Sequence, residues 1–167
     1  MTTTLIIGNI FSLLSALCIA ISAVKQSKND FMYWQVGDTL FGIFCNLVLS
    51  AYAALVISIV CLVRNFLSYK NKLTKNITYA LLLISVIVGW WANNLGIIGW
   101  LAIIASAVYT ICIYITKNEQ QMRWALVLNQ VLWFIHGVYI QAYPSAIACI
   151  VLTFWTLFQI YKNRKKY

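Results

Sequence analysis

An apolar segment that ends at Leu49 opens with the stretch Tyr33-Trp34-Gln35-Val36-Gly37-Asp38-Thr39, which places one carboxylate among hydrophobic residues. A charged side chain inside a bilayer costs at least ~2.5 kcal/mol on insertion scales, so chains keep one where it is paired, faces a cavity or has a function. If this segment crosses a membrane, Asp38 is its most informative residue. We therefore take this segment as the candidate functional helix.

The composition of the whole chain indicates a membrane environment. Of its 167 residues, 63% are hydrophobic and 9% are charged, and the mean hydropathy is +0.85. A chain of this length cannot bury so much apolar surface in a soluble core, so the lipid bilayer must surround most of it. The formal net charge of +9 could indicate a nucleic acid partner. The placement of the basic residues explains this charge better, and we expect no nucleic acid partner.

Apolar segments long enough to cross ~30 Å of hydrocarbon recur along the chain. They are Leu5–Val24, Phe31–Leu49, Tyr52–Leu67, Ile77–Trp91, Leu95–Ile115, Met122–Ile140 and Pro144–Tyr161. Each is predicted to be a helix, because a spanning segment must satisfy its own backbone hydrogen bonds and none of these segments alternates like a barrel strand. The predicted fold class is an all-α membrane protein with seven transmembrane helices.

Basic residues gather in every second connection between the predicted helices. They follow or flank helices 1, 3, 5 and 7: Lys25, Lys28, Arg64, Lys70, Lys72, Lys75, Lys117, Arg123, Lys162, Arg164, Lys165 and Lys166. The alternate connections carry no Lys or Arg. By the positive-inside rule, the amino terminus is expected outside and the basic tail in the cytoplasm. This asymmetry independently supports an odd number of spans.

The chain also contains a weak internal repeat. A shift of about 91 residues aligns Leu5–Ser68 with Gly96–Gln159 without a gap, and three apolar segments, two loop positions and an Asp38/Asn129 pair coincide. Each copy holds three helices and one further helix lies between them, so both copies must have the same orientation. We predict two parallel three-helix repeats, residues 1–70 and residues 95–167 with the basic cytoplasmic tail, joined by a linker helix in residues 71–94.

Helices 2 and 6 carry matching polar stripes, with small and polar residues at spacings of three and four. The stripes are Gln35, Asp38, Thr39, Gly42, Cys45 and Asn46 in helix 2, and Asn129, Gln130, Trp133, His136 and Gly137 in helix 6. A two-fold axis between the repeats would bring the stripes face to face along a central path. The residues predicted to bind a solute there are Gln35, Asp38, Asn46, Asn129, Gln130, Trp133 and His136.

Each of these residues also has a structural interpretation. Asp38 could be held by Gln35, by Asn129 or by a serine of helix 1, and His136 and the amides could form hydrogen bonds between helices. Trp133 lies mid-span, where its ring could stack on a sugar or base or could simply pack. No Lys or Arg is expected at the site, which argues against an anion. We expect a neutral polar solute, with a proton or a cationic solute on Asp38 as the alternative.

Motifs for catalysis and for cofactors do not occur in the sequence. It contains no His-Glu-x-x-His, no Gly-x-Ser-x-Gly and no phosphate-binding glycine loop, and its acids are Asp30, Asp38 and Glu119. Its five cysteines are scattered through apolar segments without a metal-binding spacing. We expect that the protein is not an enzyme, and that it needs neither a metal nor another cofactor.

Several short motifs resemble the YgjV family of small bacterial inner-membrane proteins over nearly the full length. They are the basic loop before Gln35 and Asp38, Tyr52-Ala53-Ala54, Arg64-Asn65, Met122-Arg123 and Trp133-x-Ile135-His136. This resemblance implies a multi-pass protein of the bacterial inner (cytoplasmic) membrane. The 3+1+3 layout also looks like that of the SWEET sugar uniporters and of the PnuC vitamin transporters, the latter echoed by Trp34-Gln35-Val36-Gly37.

These features together predict a small-solute transporter. Two three-helix bundles would rock against each other and expose a midplane site to each side in turn, with a nucleoside, a vitamin precursor or a sugar as the solute. The alternative is a membrane assembly or immunity-type protein that binds a partner through its helices and moves nothing. A homo-oligomer is compatible with both hypotheses.

Overall fold

The computed structural model describes residues 2–25, 28–115 and 119–163, and nearly all of these residues are helical. The helices are α1 Thr3–Val24, α2 Lys28–Val48, α3 Tyr52–Tyr69, α4 Lys75–Trp91, α5 Ile97–Ile115, α6 Glu119–Tyr139 and α7 Tyr143–Asn163. No strand occurs in the described ranges. Every predicted helix is present, and each end lies within one helical turn of its predicted position.

The helices differ in how well they suit a membrane. Among the described residues, three stretches are long and apolar enough to cross one: Thr3–Ala23, Tyr52–Tyr69 and Tyr143–Lys162. The apolar stretches Lys75–Trp91 and Ile97–Cys112 are shorter. Helices α2 and α6 are less apolar because they carry the two polar stripes. The all-helical fold is confirmed, whereas the crossing of a membrane by all seven helices belongs to the functional proposal below.

Six of the helices pack in a ring. Helix α2 packs between α1 and α3, and α6 packs between α5 and α7. Contacts of α1 with α7 and of α3 with α5 join these two groups of three and close the ring. Within the described residues α2 and α6 do not touch each other, so they face each other across the ring. Helix α4 lies outside the ring, against α3 and α5.

The contact between α1 and α7 joins two parallel helices. The Asn9 amide donates to the Gln141 carbonyl oxygen at 3.0 Å, and the Ser12 hydroxyl donates to the Ser145 hydroxyl at 2.7 Å. Residue numbers therefore rise together along the two helices.

The contact between α3 and α5 is parallel as well. Ile57 packs against Ile103 nearer the start of the two helices, and Arg64 donates to Thr110 nearer their end. Two parallel repeats related by a two-fold axis require parallel contacts at both positions. The repeat itself, with boundaries at residues 70 and 95, stays a prediction.

The turns between α2 and α3 and between α6 and α7 have the same construction. Ser50 and Gln141 adopt positive φ angles of 56° and 62°, and an asparagine side chain distant in sequence bridges each turn. Asn94 donates to the Ser50 carbonyl at 2.7 Å, and Asn9 donates to the Gln141 carbonyl. The side-chain oxygen of each asparagine also accepts a hydrogen bond from the backbone N–H two residues after the bridged carbonyl, which is that of Tyr52 for Asn94 and that of Tyr143 for Asn9. The same construction therefore ties the α2–α3 turn to the segment before α5 and the α6–α7 turn to α1.

The predicted orientation in the membrane stays a prediction. Part of its basis, namely Lys117 and the tail residues Arg164, Lys165 and Lys166, lies outside the described residues. Another part of its basis, Arg64, is buried.

Candidate functional site

A cavity of about 130 Å³ lies within the ring. All six ring helices contribute residues to its lining, and α4 contributes none among the residues that the structure describes. A volume of this size holds several water molecules or a small polar solute. The cavity is the candidate site.

The polar stripes of α2 and α6 face this cavity from opposite sides. The residues of these stripes that line it are Gln35, Asp38, Thr39, Gly42, Cys45, Asn46, Asn129, Gln130, Trp133, His136 and Gly137. This set contains all the residues predicted to bind a solute. The structure therefore brings them together around one space, and their role in binding stays a prediction.

The carboxylate of Asp38 has a partner on α1. The Ser15 hydroxyl donates a hydrogen bond to Asp38 Oδ1 at 2.5 Å. Of the partners that the sequence left open, the structure selects the serine of the first helix. Asp38 is half-buried and lines the cavity, so its second oxygen is available to a ligand.

The amide side chains divide into two groups. Asn46 donates from Nδ2 to the Ser58 hydroxyl at 3.1 Å, and this buried bond joins α2 to α3. Asn129 and Gln130 line the cavity from α6, and the structure shows no side-chain hydrogen bond for either among the described residues. Asn46 therefore has a clear packing role, while the two amides of α6 remain open to a solute.

His136 and Trp133 form one aromatic unit on α6. Their rings meet edge to face with centroids 5.5 Å apart. His136 is only 1% exposed, and its Nε2 has no hydrogen-bond partner among the described residues. Trp133 packs on one side against Ile57 and Ile103. A buried imidazole nitrogen without a partner is costly, and it is a natural point of attachment for a polar ligand.

Arg64 corrects a prediction made from the sequence, namely that the site contains no Lys or Arg. Its expected place at the cytoplasmic end of helix 3 stays a prediction. The structure buries Arg64 to 3% exposure and places it in the lining of the cavity. The reason is that α3 continues to Tyr69 and that Arg64 lies on the same buried face as Cys61. The argument against an anionic group in the solute therefore no longer holds.

The guanidinium of Arg64 is surrounded by neutral groups. Nε and Nη2 donate to Asn65 Oδ1 at 3.2 and 3.1 Å, and Nη1 donates to the Thr110 hydroxyl at 2.9 Å. The Tyr109 ring lies beneath it, 4.8 Å from ring centroid to Cζ. These contacts fix the plane of the guanidinium without neutralising its charge.

A signal for the missed residues was present in helix 3. Ser58, Cys61, Asn65 and Ser68 recur at spacings of three and four, as the stripe residues of helices 2 and 6 do, and all four are buried. Arg64 adjoins this stripe, but its positive charge suggested that it belongs with the basic residues at the cytoplasmic side.

Comparison with known proteins gives one family. The Imp-YgjV family, described as bacterial inner membrane proteins, matches residues 6–167. The chain belongs to this family. No curated protein and no solved structure matches it.

Membership in the Imp-YgjV family confirms the resemblance predicted from the Trp-x-Ile-His and related motifs. It also confirms the bacterial inner membrane as the location. The likeness to SWEET and PnuC transporters stays a prediction. The family description names a membrane and no activity, so the function of this Imp-YgjV protein has to be argued from the cavity.

Proposed function

We propose that this Imp-YgjV protein carries a small polar solute across the inner membrane by alternating access, and that the solute binds in the central cavity. The observation that carries this proposal is the cavity itself, which is lined by all six ring helices and therefore by both predicted halves. A site between two halves can be exposed to one side and then to the other when the halves rock.

The groups in the cavity lining support a binding function. Asp38 and Arg64 bring opposite charges into an apolar ring, and Nε2 of His136 is buried without a partner among the described residues. Each of these groups is costly in a low-dielectric environment unless something compensates it. A protein that only had to pack its helices would be more stable with apolar residues at these positions. We infer that a polar solute compensates them.

The seven helices of this proposal all cross the membrane. Helices α2 and α6 are too polar to meet the usual criterion by themselves, but the ring turns their polar faces toward the cavity. In bundles of this kind, polar residues are tolerated where they face the interior or a water-filled space. The apolar remainder of each helix then contacts lipid or a neighbouring helix.

The proposed solute is small, because the cavity volume is about 130 Å³, and polar, because charged and amide side chains line that cavity. A nucleoside, a vitamin precursor or a sugar remains in this class, and the first experiment should separate these chemistries. The thermal stability of the purified protein is measured with nucleosides, vitamins, sugars and amino acids. A ligand at 100 times its dissociation constant stabilises the folded state by about 2.7 kcal/mol.

Compounds that raise the unfolding temperature are then tested for exchange into proteoliposomes. We expect Asp38→Asn to weaken both effects. Asp30→Asn is the matched control, because it removes the same charge from an exposed position at the start of α2 and should change neither. A folded protein that shows no shift and no exchange with any compound would overturn the proposal and favour the partner-binding alternative.

A further inference from the structure

We propose that the solute is a zwitterion of amino-acid type, with its carboxylate on Arg64 and its ammonium group on Asp38. This inference rests on the proposed function, which supplies the solute, and it names the class to which the solute belongs. The observation behind it is that the cavity holds one anion and one cation that do not pair with each other.

The register of α2 and α3 places the two charges at the same depth. Asn46 is hydrogen-bonded to Ser58, and Gly42 also faces Ser58. Because α2 and α3 are antiparallel neighbours joined by a tight turn, a step toward the start of α2 corresponds to a step toward the end of α3. Position 38 therefore lies level with residues 62–66, and Arg64 is at the centre of that range.

Neutral partners hold the two side chains on different sides of the cavity. Ser15 on α1 binds the carboxylate of Asp38, while Asn65 and Thr110 bind the guanidinium of Arg64. No hydrogen bond joins the two charged groups to each other in the described residues. Packed helices have axes about 8–10 Å apart, so one small molecule between them can reach both groups.

The guanidinium retains the donors that a carboxylate needs. Arg64 has five N–H bonds, and three of them donate to Asn65 and Thr110. The two that have no acceptor among the described residues belong to the terminal nitrogens Nη1 and Nη2. Two such donors bind the two oxygens of a carboxylate in parallel, which is the preferred geometry of this pair.

Charge balance favours a zwitterion over the other small solutes. An anion would neutralise Arg64 and leave Asp38 without a counter-charge, a cation would do the reverse, and a sugar would leave both charges in place. A buried charge without a counter-charge is costly. A zwitterion supplies a counter-charge to both Arg64 and Asp38, and it carries no net charge into the membrane.

The test uses compounds that differ by one charged group. The common zwitterionic amino acids are first compared by thermal shift and by exchange in proteoliposomes, with a sugar and a nucleoside as neutral probes. The best amino acid is then compared with its decarboxylated amine and with its 2-hydroxy acid. We expect the amino acid to bind about 10- to 100-fold more tightly than either analogue, since each analogue loses one charge-assisted contact.

Two variants assign the contacts. Arg64→Gln should remove the preference for the amino acid over its amine, and Asp38→Asn should remove the preference over the hydroxy acid. If Arg64→Gln does not fold, Arg64→Lys replaces it; this variant keeps the cation without the planar fork, so it should weaken the preference over the amine without removing it. Each variant should leave the other preference intact.

The possible failures are distinguishable. If a sugar or nucleoside is exchanged and no amino acid is, transport stands and the zwitterion inference is wrong. If an amino acid binds with the expected variant pattern but is not exchanged, the site is right and the transport proposal is wrong. If an amino acid and its amine bind equally well to the unmodified protein, Arg64 does not bind the carboxylate.

Discussion

The two interfaces that close the ring begin alike and then differ. At one end of each interface an asparagine, Asn9 or Asn94, bridges a turn that is distant in sequence. Further along, the α1–α7 interface is held by hydrogen bonds between Ser12 and Ser145. The α3–α5 interface is apolar at the same level, then carries one contact between the Cys61 thiol and the Ser106 hydroxyl, and ends at Arg64 and Thr110.

This difference predicts which of the two interfaces would open in the proposed transport cycle. When two serine hydroxyls separate, each can replace the lost hydrogen bond with one to water at little net cost in free energy. When two apolar surfaces separate, both become exposed to water, which is unfavourable. Helix α4 also covers the α3–α5 interface, and no described helix covers the α1–α7 interface from outside. We expect the α3–α5 interface to stay closed as a hinge and the α1–α7 interface to open.

The largest effect should come from separating α4 from the α3–α5 interface. A Cβ atom at Gly89 would stand 2.9 Å from Ile103 and 3.1 Å from Ile57, so Gly89→Leu should destabilise the protein by about 1–3 kcal/mol through overpacking. Thermal unfolding in detergent measures this. Ile87→Leu is the control, since Ile87 is 60% exposed on the same helix, and it should be nearly neutral. Equal stability of the two variants would show that α4 does not support the interface.

The second effect concerns the polar end of the same interface. Thr110→Val removes the hydroxyl that accepts from Arg64 and should cost about 1–3 kcal/mol, because a buried charged donor loses its partner. Thr153→Val is the matched control. Both threonines donate to a carbonyl of their own helix, but the structure gives Thr153 no bond to another helix among the described residues. A loss in Thr153→Val as large as that in Thr110→Val would mean that the bond to Arg64 contributes nothing.

A third, smaller effect should appear at the α1–α7 interface. Ser145→Ala removes the hydroxyl that exchanges hydrogen bonds with Ser12, and we expect a loss of about 1 kcal/mol together with more frequent opening. Opening can be measured as faster labelling of Cys149, which is buried and lines the cavity, by a membrane-impermeant thiol reagent. Ser85→Ala is the control, since that hydroxyl donates within α4. Unchanged labelling in Ser145→Ala would argue against opening at this interface.

The smallest effects, and the most direct comparison, come from the two asparagines. Asn9→Ala and Asn94→Ala each remove an equivalent pair of hydrogen bonds at an exposed turn, which should cost at most about 1 kcal/mol each; Asn9→Ala also removes the bond to the Leu5 carbonyl within α1. Asn9→Ala should increase labelling of Cys149. Asn94→Ala should leave Cys61 protected, because apolar contacts still hold the α3–α5 interface. Similar increases at both cysteines would mean that the interfaces open alike.

Much of the fold followed from hydropathy alone. The helix positions were predictable because a segment of fixed length in lipid has to be a helix. The faces of α2 and α6 were predictable from the spacing of polar residues such as Asp38 and His136, since 3.6 residues per turn fixes which side chains share a side. The motifs around His136 were also enough to indicate the family.

The contacts between helices were not predictable in the same way. The sequence offered three partners for Asp38, and the structure selects Ser15. It grouped Arg64 with the loops, although Arg64 lines the cavity. Hydropathy and spacing act within one helix, so they determine where each helix lies and which face is polar. The pairing of side chains from different helices depends on their relative rotation and register, and those are set by the packing of the whole ring.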